Sequence, residues 1–238
     1  MKINFLILAL AASVVACTPS GNDAKSDADA SDKSAAGENT LAVNDEKAEK
    51  DGILELGATL PAADVKMKNI DGTDHHLQGL AKENGLIVIF SCNTCPFVVG
   101  NGKKSEGWEG RYAAIHDYAA KADIGMALIN PNEAKRGKGD GMSDMQARYK
   151  DKGLKGPYLL DESHVVADAF GALTTPHVFM FDGEMNLIYK GAIDDSVDSA
   201  ADVKEPYLMN AIDAHVAGKP IDPASTRQLG CSIKRVKA

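Results

Sequence analysis

The sequence predicts an α/β fold with a central mixed sheet flanked by helices. Two runs of branched apolar residues, 86–90 and 124–129, are typical of strands buried on both faces of a sheet. Segments with helical spacing follow them, at 96–118 and at 143–152, where Ser143 is the predicted cap. Two further apolar runs flank Asp182-Gly183-Glu184 and predict a hairpin. Strands that alternate with helices and then form a hairpin indicate a layered α/β domain.

Three weaker patterns complete the predicted domain, which begins at residue 53. Residues 65–70 alternate and are followed by Asp71-Gly72, a turn signal. Residues 165–170 predict a short helix, and residues 206–217 predict the last helix, with Gly218 as its stop.

The N-terminus has the pattern of an export signal. Lys2 supplies a positive charge and residues 3–15 are almost wholly apolar, a stretch too short for a comfortable membrane span. The string Val14-Val15-Ala16-Cys17 resembles the lipobox of bacterial lipoproteins, in which the cysteine is acylated. We expect a signal peptide at 1–17 and a lipid anchor at Cys17, on the periplasmic side of the cell envelope. Thr18 favours the outer membrane in a Gram-negative cell. The alternative is an ordinary cleavable signal with an incidental cysteine.

Residues 18–52 predict a disordered tether. They are rich in Asp, Ala, Ser, Lys and Glu and carry almost no large apolar side chain, so they cannot bury enough surface to offset their ordering entropy. The whole chain has a net charge of -8, which disfavours nucleic acid as a partner. No glycine motif for nucleotide binding is present, and we expect no cofactor.

The chemistry is predicted at Cys92-Asn93-Thr94-Cys95-Pro96. Two cysteines three apart, between a buried strand and a helix start, can close a small disulfide ring. A helix N-terminus favours thiolate over thiol, so we predict a lowered pKa for Cys92 as nucleophile, with Cys95 as resolving thiol. A zinc site needs four ligands and no second Cys-x-x-Cys pair exists. A purely structural disulfide remains the alternative.

Three further positions are candidate site residues. Thr175-Pro176 precedes a predicted strand, where a cis peptide is expected. This context resembles the thioredoxin fold, which implies that the Thr175 backbone pairs with an extended substrate. His177 adjoins Pro176 and is expected near the sulfurs, as an accessory residue or simply as the start of a strand. Cys231 lies in the C-terminal tail and is either a second resolving thiol or an inert buried one.

Together these motifs resemble the thioredoxin-like superfamily, and more closely a peroxiredoxin-like subgroup of its redoxin branch. The strings that carry the resemblance are Cys-Asn-Thr-Cys-Pro-Phe-Val at 92–98, Asn-Pro-Asn-Glu at 130–133, Pro-Tyr-Leu-Leu-Asp at 157–161, Thr-Pro-His at 175–177, Gly-Ala-Ile-Asp-Asp at 191–195 and Gly-Cys-Ser-Ile-Lys at 230–234. The resemblance implies a thioredoxin-like fold over about residues 53–233, redox chemistry at the cysteine pair and a cis-proline facing it.

The predicted function is an envelope thiol-disulfide oxidoreductase that acts on protein or small-molecule thiols and disulfides, with an unidentified electron donor. An antioxidant, peroxiredoxin-like peroxidase is the first alternative, with Arg111, Arg136 or Arg148 as candidates for orienting a peroxide. Neither Cys92 nor Cys95 has a threonine three residues before it, however, as true peroxiredoxins do. A copper carrier that combines the two thiolates with His177 is a further alternative. No other metal site is expected.

Overall fold

The computed structural model describes residues 52–236 of the chain. The strands are β1 (Met67–Asn69), β2 (Asp74–His75), β3 (Leu86–Phe90), β4 (Gly125–Asn130), β5 (Tyr158–Leu160), β6 (Thr174–Thr175), β7 (His177–Phe181), β8 (Leu187–Gly191) and β9 (Cys231–Ser232). The α-helices are α1 (Pro96–Val99), α2 (Tyr112–Lys121), α3 (Met142–Lys152), α4 (Val165–Ala169) and α5 (Tyr207–Val216). Within this range no helix is long and apolar enough to cross a membrane. The predicted signal peptide, the lipobox with Cys17 and all but the last residue of the tether lie outside the described residues.

Seven strands form one mixed sheet in the order β2-β1-β5-β4-β3-β7-β8. β3 pairs parallel with β4 and antiparallel with β7, so it lies inside the sheet with both edges satisfied. Its five residues coincide with the predicted apolar run, and all five are buried. β4 starts one residue later than predicted, and β7 and β8 form the predicted hairpin. The central mixed sheet flanked by helices is confirmed.

The two faces of the sheet bury different side chains. One face packs against helices through Ile115 of α2, Met145 of α3 and Ile212 of α5, and this cluster contains both Cys92 and Cys95. The opposite face buries a group of four phenylalanines in edge-to-face contact: Phe90, Phe170, Phe179 and Phe181. Alternation along each strand sends neighbouring residues to opposite faces, which decides which side chains can reach the cysteines.

The long helix predicted over residues 96–118 is wrong. α1 ends at Val99, and helix resumes only at Tyr112 after a loop and a 3₁₀ turn. Gly100 and Gly107 both have positive φ, of 77° and 70°. A Cβ on Gly100 would lie 2.6 Å from the Glu106 oxygen, and one on Gly107 would lie 2.4 Å from the Gly100 nitrogen. The glycines therefore let the chain fold tightly back on itself where a helix would have run straight.

The helices α3 and α5 agree with their predicted ranges to within one residue at each end. α3 ends as predicted, but its N-cap is Gly141, whose N–H donates to the Asp144 carboxylate over 3.1 Å. α5 lies within the predicted range and is followed by Gly218 with φ of 64°.

The C-terminal tail folds back over the sheet end that carries the cysteines. β9 pairs antiparallel with β6 in a separate two-stranded sheet. Beyond it, Ile233 N–H donates to the Leu173 oxygen over 3.0 Å, and Lys234 N–H donates to Asn132 Oδ1 over 2.8 Å. Arg235 Nε donates to Asp168 over 2.6 Å. The tail is thus held at Cys231 and along the three residues that follow Ser232.

Candidate active site

Cys92 and Cys95 lie at the carboxyl end of β3, where the central strand gives way to α1. Cys95 is the N-cap of α1, and Pro96 takes the first helical position, where its missing N–H costs nothing. Both cysteines are free thiols, and they are only 1% and 3% exposed. A reagent from solvent can therefore reach them only when a covering element moves.

Thr175 contacts both sulfurs from the facing loop. Its hydroxyl lies 3.1 Å from Cys92 Sγ, and its carbonyl oxygen lies 3.1 Å from Cys95 Sγ. The Thr175–Pro176 peptide bond is cis, as predicted. The predicted pairing of this loop with the cysteine pair is therefore present in the structure.

The covering element is β9. Cys231 stands opposite Thr175 in the β6–β9 ladder, and its backbone N–H donates to Cys95 Sγ over 3.3 Å. The structure thus brings together all three cysteines of the described residues, with Cys95 in the middle.

The electrostatics of the pair differ from the prediction. Hydrogen bonds from the Cys92 thiol, from the Cys231 thiol and N–H, and from the Phe97 N–H outweigh burial and lower the pKa of Cys95 to about 5. Donation to Cys95, burial and the negative charge of Asp140 together raise the pKa of Cys92. The predicted lowering of the Cys92 pKa is therefore wrong for this reduced state. The helix start that was expected to act on Cys92 is instead adjacent to Cys95.

A buried carboxylate supports the segment between the cysteines. Asp140 is fully buried and accepts hydrogen bonds from the Asn93 N–H over 2.6 Å and from the Thr94 hydroxyl over 2.7 Å. The side-chain amides of Asn130 and Asn132 donate to it over 3.1 Å each. Asp140 therefore fixes the backbone of the Cys-x-x-Cys turn. Sequence reasoning missed it because residues 135–141 have the composition of a solvated loop.

Two buried tyrosines complete the polar lining. The Tyr158 hydroxyl donates to Asn93 Oδ1 over 2.9 Å, and the Tyr112 hydroxyl lies 3.1 Å from the Ser91 hydroxyl. Burial raises the pKa of both tyrosines, so they stay neutral and serve as hydrogen-bond donors. The string Pro-Tyr-Leu-Leu-Asp at 157–161 was the signal that could have placed Tyr158 here.

His177 does not lie beside the sulfurs, contrary to expectation. It alternates with Val178, whose side chain belongs to the cysteine face, so the imidazole points to the opposite face. There its ring packs against Phe179 at a centroid distance of 4.4 Å. Burial lowers the pKa of His177 to about 3, which leaves the ring neutral. An accessory role at the sulfurs is therefore unsupported by the geometry.

The donor set also bears on the copper hypothesis. Within residues 52–236, no group of three or more His, Cys, Asp or Glu side chains has the arrangement of a metal site. The imidazole that the hypothesis requires lies across the sheet from the thiols. The copper carrier therefore has no structural support among the described residues.

Comparison with known proteins places the chain in a family. The family model described as Redoxin matches residues 55–205. A hypothetical protein from Sinorhizobium meliloti 1021 has 31% identity and a TM-score of 0.68, and the match covers 78% of this chain and 97% of that one. An uncharacterized conserved protein from Geobacillus kaustophilus has 27% identity and a TM-score of 0.69, over 77% of this chain and 94% of that one.

A more distant structure shares the fold. The bacterioferritin comigratory protein of Xanthomonas campestris, described for its alkyl peroxide reduction activity, has 17% identity and a TM-score of 0.50, over 68% of this chain and 99% of that one. The comparison with curated proteins gives no significant match. The fold is thus the predicted thioredoxin-like one, and the chain belongs to the redoxin family.

Proposed function

We propose that this redoxin is a thiol-disulfide oxidoreductase whose working couple is Cys92–Cys95. The observation that carries the proposal is the position of Thr175. It contacts both sulfurs through its own hydroxyl and carbonyl, and its backbone pairs with an extended strand. A slot for an extended segment beside a dithiol is the arrangement that a disulfide-bonded protein substrate requires.

The chemistry follows from the hydrogen bonds around Cys95. Its thiolate attacks one sulfur of a substrate disulfide, forms a mixed disulfide and releases the other substrate sulfur as a thiolate. Cys92 then loses its proton and attacks Cys95 Sγ, which frees the second substrate thiol and leaves the Cys92–Cys95 disulfide. The substrate gains two electrons and the couple loses two. An external dithiol donor restores the reduced protein, and the same steps in reverse oxidise a substrate.

The order of attack can be separated from the function itself. The sequence predicts attack by Cys92. The lowered pKa of Cys95 and its contact with the strand position that Cys231 occupies favour attack by Cys95 instead. A variant that keeps only the attacking cysteine accumulates a stable mixed disulfide with substrate. With Cys231 also replaced by serine, so that it cannot release the substrate, we expect Cys92→Ser to trap substrate and Cys95→Ser to fail. The reverse result would restore the predicted order and leave the couple intact.

The peroxidase alternative considers three arginines as candidates for orienting a peroxide, and each of them binds a structural partner among residues 52–236. Arg111 binds Asp194 in a buried ion pair, Arg148 forms two hydrogen bonds to Glu109, and Arg136 donates to backbone oxygens of Asn130 and Asp161. Arg136 and Arg148 are therefore committed to structural partners, whereas Arg111 also keeps Nε and Nη2 buried without a hydrogen-bond partner. Disulfide exchange needs no such group, since its leaving group is itself a stable thiolate.

The direct test is turnover of a disulfide reporter, insulin, with dithiothreitol as donor. The wild-type chain should accelerate insulin reduction, and in a Cys231→Ser background Cys92→Ser and Cys95→Ser should each lose that acceleration. Cys17→Ser is the matched exchange outside the described residues and should keep the wild-type rate. Retention of the rate by both site variants would contradict the proposal. Consumption of hydrogen peroxide faster than insulin would favour the peroxidase.

We also propose that the protein acts at the bacterial envelope, anchored by acylated Cys17. The support is the apolar run that ends in Val14-Val15-Ala16-Cys17. An envelope location is an oxidising compartment, in which disulfide-bonded substrates persist.

A further inference from the structure

The C-terminal tail occupies the substrate slot of this site. β9 adds to the edge of β6 antiparallel, and Cys231 takes the position directly opposite Thr175, next to the cis-proline. We propose that Cys231 is a third redox thiol, which exchanges with the Cys92–Cys95 disulfide by forming a Cys95–Cys231 disulfide. This inference rests on the proposed function, because it requires an oxidised Cys92–Cys95 couple.

The contacts select Cys95 as the partner of Cys231. The Cys231 N–H donates to Cys95 Sγ over 3.3 Å, which places the two residues in direct contact. Cys92 lies on the other side, where its sulfur contacts the Thr175 hydroxyl. Cys231 is therefore placed to attack one sulfur of the pair, with the other as leaving group.

The exchange balances without any further reactant. When Cys92 and Cys95 are joined, the Cys231 thiol loses its proton and its sulfur attacks Cys95 Sγ. The Cys95–Cys231 bond forms, the Cys92–Cys95 bond breaks, and Cys92 leaves as a thiolate that takes up a proton. No electrons enter or leave the chain. The original oxidant is the substrate disulfide that the pair has reduced.

The protonation state of Cys231 favours its attack on Cys95 only after the Cys92–Cys95 disulfide has formed. Burial and the adjacent Cys95 sulfur raise the pKa of Cys231 to about 11 in the reduced protein, so it is a thiol there. Once Cys95 is in a disulfide it carries no charge, and the second of these causes disappears. Lys234 acts in the opposite sense and favours the Cys231 thiolate.

The tail is built to fit the slot closely. A Cβ on Gly230 would lie 2.4 Å from the Thr175 oxygen, so only glycine fits before Cys231 in this register. On the far side, Ile233 is buried in the core cluster that contains Phe90 and Phe170. The close contact at Gly230 and the anchor at Ile233 together hold Cys231 in register opposite Thr175.

Peptide mapping of the full chain tests the proposal. Trypsin separates the peptide 83–103, which holds Cys92 and Cys95, from the peptide 228–234, which holds Cys231. The chain is equilibrated in buffers of reduced and oxidised dithiothreitol, free thiols are alkylated in acid, and the peptides are identified by mass spectrometry. We expect a linked pair of these two peptides in native protein. If the fold directs the linkage, the yield of the linked pair should be at least tenfold lower when the same treatment is carried out in guanidinium.

Two matched variants identify the partner. Cys92→Ser leaves Cys95 and Cys231 and should form the linked pair readily. Cys95→Ser leaves Cys92 and Cys231 and should form it at least tenfold less. Equal linkage in both variants, or no linkage in native wild-type protein, would overturn the proposal. If 83–103 still shows its internal disulfide in that case, the proposed function survives; if that disulfide is also missing, both fail.

Discussion

Replacing Gly230 with alanine should uncover the cysteine pair without disturbing the rest of the fold. The added Cβ would lie 2.4 Å from the Thr175 oxygen and 2.7 Å from the Thr175 carbonyl carbon, so β9 must move away from β6. The movement strains two hydrogen bonds, from Cys231 N–H to Cys95 Sγ and from Ile233 N–H to the Leu173 oxygen. At about 1 kcal/mol each, their loss favours the open tail by about 2 kcal/mol, or roughly 30-fold.

The assay is the rate at which iodoacetamide alkylates the peptide 83–103 in reduced protein at neutral pH. Because Cys92 and Cys95 are buried beneath the tail, this rate reports the open population when closing is fast. Gly230→Ala should raise it by about 30-fold, the ratio worked out above for two lost hydrogen bonds. The control is Gly110→Ala, since a Cβ at Gly110 meets no atom within 4 Å. Equal rates in both variants and in wild type would refute the idea that the tail covers the site.

Three further predictions test other parts of the account. A titration of thiolate absorbance at 240 nm should show a step near pH 5, and Cys95→Ser should lack this step. Because the pKa of Cys95 lies below the usual 9.0, the free energy of unfolding of the reduced protein should rise as pH rises from 5 towards 9. This contribution should be lost as pH falls through 5. Asp140→Asn replaces one acceptor oxygen with an amide donor that faces other donors, so urea denaturation should show a free energy of unfolding lower by about 2–4 kcal/mol. The exposed control Asp151→Asn should lower it by less than about 0.5 kcal/mol. Cys17→Ser should abolish labelling by a palmitate analogue in cells while Cys231→Ser retains it, and labelling of Cys17→Ser would contradict the anchor.

The parts of the fold that sequence predicts well are those set by local pattern. The run 86–90 and the hairpin around Asp182-Gly183 carry their own periodicity and turn residues, so the structure reproduces them closely. The pairing of the cysteines with Thr175-Pro176 was accessible through resemblance to a known fold. The failure at 96–118 was local too. Its glycines were visible, but apolar spacing does not reveal that they have positive φ.

The rest depends on contacts between distant parts of the chain. Cys231 and Cys95 are 136 residues apart, and nothing near either one predicts their contact. Asp140 is 46 residues from Thr94 and gains its role only because the chain buries it. The thiol pKa values follow from these same contacts, so the charge could not be assigned to Cys95 in advance. His177 is different, because the two-residue period of its strand would have placed it across the sheet from Val178.

The most direct test of the central claim is the reduction equilibrium of the full chain. The chain is equilibrated across a series of glutathione redox buffers, and its thiols are trapped and mapped by mass spectrometry. The account predicts a reversible two-electron couple in which Cys95 is oxidised in every disulfide species and Cys92 is its partner in a substantial share of them. Cys92 and Cys95 that stay as free thiols across the whole series would contradict it.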